Sequence, residues 1–387
     1  MKILMLSVLS HHCFNWALQL KDSGHEVYWM DVYDSNTYIQ KIDFATQIVS
    51  WKNRVEIPGK YYLRKHLPGL NYLMDKINNR KFLDVFETKL QEIKPDVVQS
   101  FEMHSACIPI LSVMKKNPEI TWVYSSWGND LYFFQRDSAK KEAMQNVLHH
   151  VDYMFADCTR DFHLAKKLGF KGDYLGTYPT GGGYDLKEHS SNIFAHKSKS
   201  TILIKGYQHR FGRAKKILEA LLLIKKVVEN NKVIVFGANE EIQSFVDSEM
   251  SDWNNVRVLS AIGRDEVMKL MGESIIYIGN SISDGMPNTL LEAIIMEAFP
   301  IQSNPGGATS ELIQHGKNGF LIENPLNENE IAGHIKVALQ DKNIIRKGIE
   351  FNTIYLKPKL ERDYVQKQVL ESYSLIEQQL TEKSGSL

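Results

Sequence analysis

Short apolar runs separated by helix-patterned segments recur along this chain, and that alternation restricts its fold more than any other feature. Residues 3–9 read as a first strand, 14–23 as a helix ended by Gly24, and 27–32 as a second strand. Further strands are expected at 97–98, 122–124 and 153–156. A polar stretch follows Asp185: Lys187-Glu188-His189-Ser190-Ser191-Asn192, then Lys197-Ser198-Lys199-Ser200. It is the best linker candidate. Beyond it come strands at 201–204, 232–236, 256–259, 275–278 and 300–302, with a helix over 215–229. Strands alternating with helices predict an α/β protein whose parallel sheets are covered on both faces. Two such runs predict two doubly wound domains facing a cleft, with ligand at the carboxyl ends of their strands. A length of 387 residues suits that division.

Composition removes several classes. Lys plus Arg and Asp plus Glu both total 46, and zero formal charge argues against a dedicated nucleic-acid binder. Cys13, Cys107 and Cys158 are odd in number and lack metal spacing, which points to a reducing, cytoplasmic setting without a disulfide scaffold. No run reaches the roughly 18–20 apolar residues of a membrane span. The first strand-to-helix turn, Ser10-His11-His12-Cys13, contains no glycine and so offers neither a dinucleotide fingerprint nor a P-loop. His11 and His12 are candidates only through their place on that turn.

Chemistry gathers in the second run. Ser283-Asp284-Gly285-Met286-Pro287-Asn288-Thr289-Leu290-Leu291-Glu292-Ala293 follows the strand at 275–278. Gly285 and Pro287 mark a loop, while Leu290, Leu291, Ile294, Ile295 and Ala298 form one helical face. Asp284 thus falls in the loop and Glu292 in the first turns of the helix. The helix N-terminus is a natural seat for a phosphate, and Glu292 can accept hydrogen bonds from a ribose diol beside it. Ser303-Asn304-Pro305-Gly306-Gly307-Ala308-Thr309-Ser310-Glu311 and His315-Gly316-Lys317-Asn318-Gly319 follow. Together these segments resemble the nucleotide-sugar-binding half of retaining GT-B glycosyltransferases, family 4 (group 1). The likeness is strong over about 200–325 and weaker over 1–185. Asp284 stands where that family usually carries Glu.

The resemblance implies two Rossmann-like domains: an acceptor-binding domain over 1–190 and a nucleotide-sugar-binding domain over 195–355. A cross-over helical tail over 356–387 would pack back on the first. Asp284 would lie near the donor sugar, with Glu292, Gly285, Met286 and Asn288 in the donor site. Lys205-Gly206-Tyr207-Gln208-His209-Arg210-Phe211-Gly212-Arg213 resembles the turn that grips the pyrophosphate, a task shared by Arg213, Lys205 and Arg210 in that order. Ser125-Ser126-Trp127-Gly128-Asn129-Asp130 resembles the family's "HG-x-D" turn with Trp127 replacing His, so a catalytic role carries over to Asp130. His104, in Phe101-Glu102-Met103-His104-Ser105, either takes the vacated place or is a satisfied loop histidine. The implied activity is retaining, metal-independent transfer from a nucleotide-diphosphate sugar to a glycan or lipid-linked acceptor, without a cofactor. Bacterial surface polysaccharide or glycoconjugate synthesis is the expected setting. A UDP-sugar 2-epimerase of the same fold and a non-catalytic nucleotide-sugar-binding subunit are the alternatives. No His/Asp/Glu cluster has metal spacing.

Residues 51–82 stand apart. They hold Lys52, Arg54, Lys60, Arg64, Lys65, Lys76, Arg80 and Lys81 against Glu56 and Asp75. Trp51, Tyr61, Tyr62 and Tyr72 are interleaved, and Leu63, Leu67, Leu70 and Leu73 recur near helical spacing. The pattern suits peripheral contact with an anionic membrane surface; it reads equally as a solvated helical insertion.

Overall fold

A computed structural model describes residues 1–58, 60–194 and 200–385. The chain divides into two units, Met1–Ala156 with Phe162–Gly176 and Val369–Leu387, and Asp157–Asp161 with Thr177–Gln368.

The first unit is built on β1 (Lys2–Ser7), β2 (Glu26–Asp31), β3 (Thr46–Ile48), β4 (Val97–Phe101), β5 (Thr121–Ser126), β6 (Tyr153–Ala156) and β7 (Asp173–Thr177). They form a seven-stranded sheet in the order β3-β2-β1-β4-β5-β6-β7, parallel from β3 through β6. Ile3, Leu4, Met5 and Leu6 are all fully buried, so both faces of β1 are covered and its sequence is a continuous apolar run. Strands β3 and β7 were not expected. They are half-exposed and carry no apolar run to betray them.

The first helix begins earlier than its apolar spacing suggests, at His11–Leu18, because the Ser10 hydroxyl caps it by accepting the His12 N–H at 3.2 Å. The glycine-free turn is therefore a cap and a first helical turn, with His11 and His12 exposed. Trp51, grouped above with surface aromatics, belongs to the core: its indole N–H donates to the Asp31 carbonyl at 2.8 Å and its ring packs on Phe82. The side chains of Lys60 and Tyr61 lie outside the described residues. The helix Arg362–Gly385 brings Tyr373 into this core, where its hydroxyl accepts the Trp16 indole N–H at 3.1 Å and donates to Gln99.

The second unit is built on β8 (Thr201–Lys205), β9 (Lys232–Phe236), β10 (Val256–Val258), β11 (Ser274–Gly279), β12 (Phe299–Ser303) and β13 (Phe320–Ile322). Its six strands are all parallel in the order β10-β9-β8-β11-β12-β13. Strand order reverses between β8 and β11, as it does between β1 and β4 in the first sheet. Such a reversal opens a crevice at the strands' carboxyl ends. The helix expected over 215–229 is two, Ala214–Leu223 and Lys225–Val228, broken where Ile224 leaves helical geometry (φ −123°, ψ 28°) and packs on the core. The first half of the linker candidate holds a short helix, Leu186–Ser190. Asp185 caps it by accepting the N–H groups of Lys187 and Glu188, both at 3.0 Å. Lys197, Ser198 and Lys199 lie outside the described residues.

Candidate active site

In the second unit, the strand-order reversal brings Lys205, at the end of β8, beside the loop that follows β11. Burial pushes the Asp284 carboxyl above its usual range, opposed by Lys205, the Gly285 N–H, Arg160 and His209. Burial likewise pushes Glu292 up, opposed by Arg264 and then Lys205. One ammonium thus acts electrostatically on a buried carboxylate, Glu292, and a half-buried one, Asp284, with its Nζ 4.6 Å from the centre of the Tyr207 ring. Among the described residues, the Asp284 carboxylate accepts one hydrogen bond, from the Gly285 N–H at 3.0 Å. Glu292 meets the Arg264 guanidinium at 3.5 Å, and Arg264 in turn lies over the Tyr184 ring. Both carboxylates keep acceptor capacity, which a buried carboxylate retains only at a cost unless a ligand fills it.

The loop carrying Asp284 is held from beneath. Arg160 donates to the carbonyls of Asp284 (2.8 Å) and Pro305 (2.7 Å), while its own charge is balanced by Asp161 at 2.8 Å. Gly285 is needed here, because a β-carbon would stand 2.2 Å from the Asp157 carboxylate. Met286 is buried. Asn288 opens the helix Asn288–Ile295 and exchanges hydrogen bonds with Thr180 (3.0 Å), so its amide braces the loop. Among the described residues, no side chain caps that helix.

The loop before the helix Ala214–Leu223 is also rigid. The Arg213 N–H donates to the Asn280 carbonyl at 2.9 Å, and its guanidinium donates to the carbonyls of Gly212 (2.7 Å) and His209 (2.9 Å). Gly212 admits no β-carbon, which would come within 2.2 Å of the Tyr207 carbonyl. Arg213 therefore holds its own loop through one guanidinium nitrogen, whereas Lys205 acts electrostatically on both carboxylates. Arg210 is exposed, its guanidinium 5.4 Å from the Phe211 ring.

His104 and Asp130 meet in the first unit. The His104 Nε2 lies 3.3 Å from the Asp130 carbonyl, and its ring packs edge-on against Phe134. Burial lowers the His104 pKa, against the charge of Glu102. The Asp130 carboxylate is saturated: it accepts the Met103 N–H (3.0 Å), the Tyr124 hydroxyl (2.9 Å) and the Trp127 N–H (3.3 Å). Burial, then the neighbouring Glu102, push its carboxyl well up. Glu102 itself sits at φ 80°, ψ 135°, a strained backbone for a side chain with a β-carbon. Its carboxylate compensates by accepting the N–H groups of His104 (3.0 Å) and Ser105 (2.6 Å).

Spacing alone revealed no metal-ligating group, but folding brings potential ligand atoms of Asp157, Cys158 and Asp161 within 4.8 Å of one another. Arg160 supplies positive charge there, paired with Asp161. Sequence reasoning also passed over Arg160, Arg264 and Glu102. Each follows the carboxyl end of a strand (β6, β10 and β4), and that position was the available signal.

Residues 187–353 match the family described as glycosyl transferases group 1. The whole chain is similar in structure to sucrose-phosphate synthase from Thermosynechococcus elongatus, at TM-score 0.73 and 14% identity, covering 97% of this chain and 98% of that one. A glycosyltransferase from Rickettsia africae aligns at TM-score 0.68 and 15% identity, covering 97% and 98%. Anabaena HepE, solved with UDP and glucose, gives TM-score 0.68 and 15% identity, covering 97% and 99%. No curated protein matches the chain. With its two parallel sheets and these neighbours, the chain has the GT-B fold, and the unit that carries Lys205, Asp284 and Glu292 also carries the match to group 1 glycosyl transferases.

Proposed function

We propose that this protein is a retaining glycosyltransferase that moves a sugar from a nucleoside-diphosphate sugar to a hydroxyl of a glycan or lipid-linked acceptor. One observation carries the reading: the under-used carboxylates of Asp284 and Glu292 lie in the loop and helix after β11, next to the strand β8 that ends in Lys205, at the strand-order reversal of the second sheet. The donor diphosphate would lie against Lys205 and the uncapped helix at Asn288, with Arg213 and Arg210 supporting it. Glu292 would accept from the ribose diol and Asp284 from the sugar. As the bond from the anomeric carbon to the diphosphate breaks, the acceptor oxygen attacks on the same face, and its proton passes to the departing phosphate. No step calls on a metal. The acceptor domain would be 1–190, with His104 on its side and Asp130 holding the turn beside it, and the donor domain 195–355. Synthesis of a bacterial surface polysaccharide or glycoconjugate is the setting proposed.

The HepE titles name UDP and UDP-glucose, so UDP-sugars come first in the test. A thermal-shift panel of UDP-, GDP- and ADP-sugars should single out one nucleotide. Nucleoside diphosphate should then appear only when an acceptor is supplied. An acceptor-independent epimer would mean an epimerase, and binding without any turnover would mean a non-catalytic subunit.

A further inference from the structure

Residues 52–80 leave the first unit through a narrow neck. Asn53 and Asn79 form an antiparallel bridge. The Arg80 N–H donates to the Lys52 carbonyl at 2.7 Å, and the Arg54 N–H to the Asn78 carbonyl at 2.9 Å. The Asn78 amide brackets Val55 with bonds of 3.0 and 2.8 Å. Past this neck lie the helices Lys60–His66 and Pro68–Asn78, and the second of them buries no residue at all. Leu70, Leu73 and Ile77 recur at i, i+3 and i+7, so they form one stripe, and they are 49%, 58% and 79% exposed. A surface helix ordinarily turns such a stripe inward.

The cations around the stripe are equally unspent. Among the described residues, Arg54, Arg64, Lys65, Lys76, Arg80 and Lys81 join no ion pair, whereas Lys216, Lys225 and Lys357 elsewhere each hold a carboxylate. Four of them (Arg54, Lys76, Arg80 and Lys81) line a single hollow beside the neck. Free cations alone would suit any polyanion. An exposed leucine–isoleucine stripe among them gains only where apolar groups can leave water, and the two needs meet at the headgroup boundary of a charged bilayer.

We infer that this pinned helical excursion docks on an anionic lipid bilayer. Leu70, Leu73 and Ile77 enter the headgroup–acyl boundary, and the surrounding cations meet anionic headgroups. The test is sedimentation of the full chain with vesicles of phosphatidylcholine alone or mixed with phosphatidylglycerol, at low and high salt. Binding should require the anionic lipid and fall as salt rises. R64S/K65S/R80S/K81S should weaken it by at least about tenfold, since each cation near such a surface is worth about fivefold. L70S/L73S/I77S should weaken it by about tenfold as well through lost apolar burial. Both variants should keep the parent's melting temperature, because the altered side chains are exposed. If either unfolds, Ile77→Cys carrying an environment-sensitive dye replaces it, the native cysteines being buried; its emission should shift to the blue on anionic vesicles alone. Equal binding to neutral vesicles, no binding at low salt, or an unmoved dye would overturn the inference. Parental binding by L70S/L73S/I77S would also overturn it, leaving a plain site for soluble polyanions.

Discussion

Each unit of this protein sets a buried and a half-buried carboxylate near the point where its strand order reverses, yet the two pairs are used differently. In the first unit, Asp130 accepts from Met103, Tyr124 and Trp127, and Glu102 accepts from His104 and Ser105. Their acceptor capacity goes to shaping one turn. In the second unit, burial pushes Asp284 and Glu292 up, but one takes a single N–H and the other one loose ion pair, and the charge of Lys205 opposes the shift of both. Burial therefore does not by itself mark a carboxylate as a binding group. On the function proposed above, unfilled acceptors opposed by a cation do.

The largest expected effect tests the structural half of that contrast. Asp130→Ala should cost about 3 kcal/mol of stability in urea unfolding, because three buried donors lose their acceptor. Nucleotide-sugar affinity of the folded variant should not change. Parental stability with lost turnover would instead make Asp130 a catalytic residue, as its place in the turn motif first suggested.

Glu292→Ala should weaken donor binding by about 1–3 kcal/mol in calorimetry while leaving nucleoside-free stability near the parent's. Unchanged affinity would remove Glu292 from the site. Asp284→Ala should lower kcat more than it weakens free UDP, since its carboxylate is assigned to the sugar; an equal loss of UDP would contradict that assignment.

The same carboxylate gives a pH test. Its pKa is raised in the folded state, so its contribution to stability is full below the unfolded value and is lost as pH rises through the folded one. Asp284→Asn should therefore be more stable than the parent at neutral pH, with the gap closing toward acid. A gap that widens toward acid would reverse the sign. The smallest effect belongs to Arg213. Arg213→Ala should cost nucleoside diphosphates about 1 kcal/mol and spare the free nucleoside, and Lys205→Ala should cost more. An Arg213 effect larger than that of Lys205 would show that its guanidinium leaves the loop carbonyls when a ligand arrives.

The strands at the centre of both sheets were legible because a strand covered on both faces must be apolar along its length, as in Ile3 to Leu6 and Ile275 to Ile278. The edge strand Thr46–Ile48 left no such run, whereas Phe320–Ile322 is apolar throughout but only three residues long and was passed over. Asp284 and Glu292 were legible together because a loop and the helix it feeds are a local object, and eight residues of sequence carry their relation. Trp51 misled for the opposite reason. An aromatic among cations looks like surface until its N–H is seen to meet the carbonyl of Asp31.

The chain's local order, then, follows largely from its sequence: alternating elements and a loop that feeds a helix after Pro287, though the helix starts capped by Ser10 and Asp185 were not read from it. Only the tertiary structure decided which charges face one another. Lys205 and Glu292 are 87 residues apart, Arg160 and Asp284 are 124 apart, and Glu102 and Asp130 are 28 apart. Periodicity records which face of an element is apolar. It holds no information on which polar side chain a distant strand end will set opposite, because that depends on sheet order and register, and these are settled by packing the whole core.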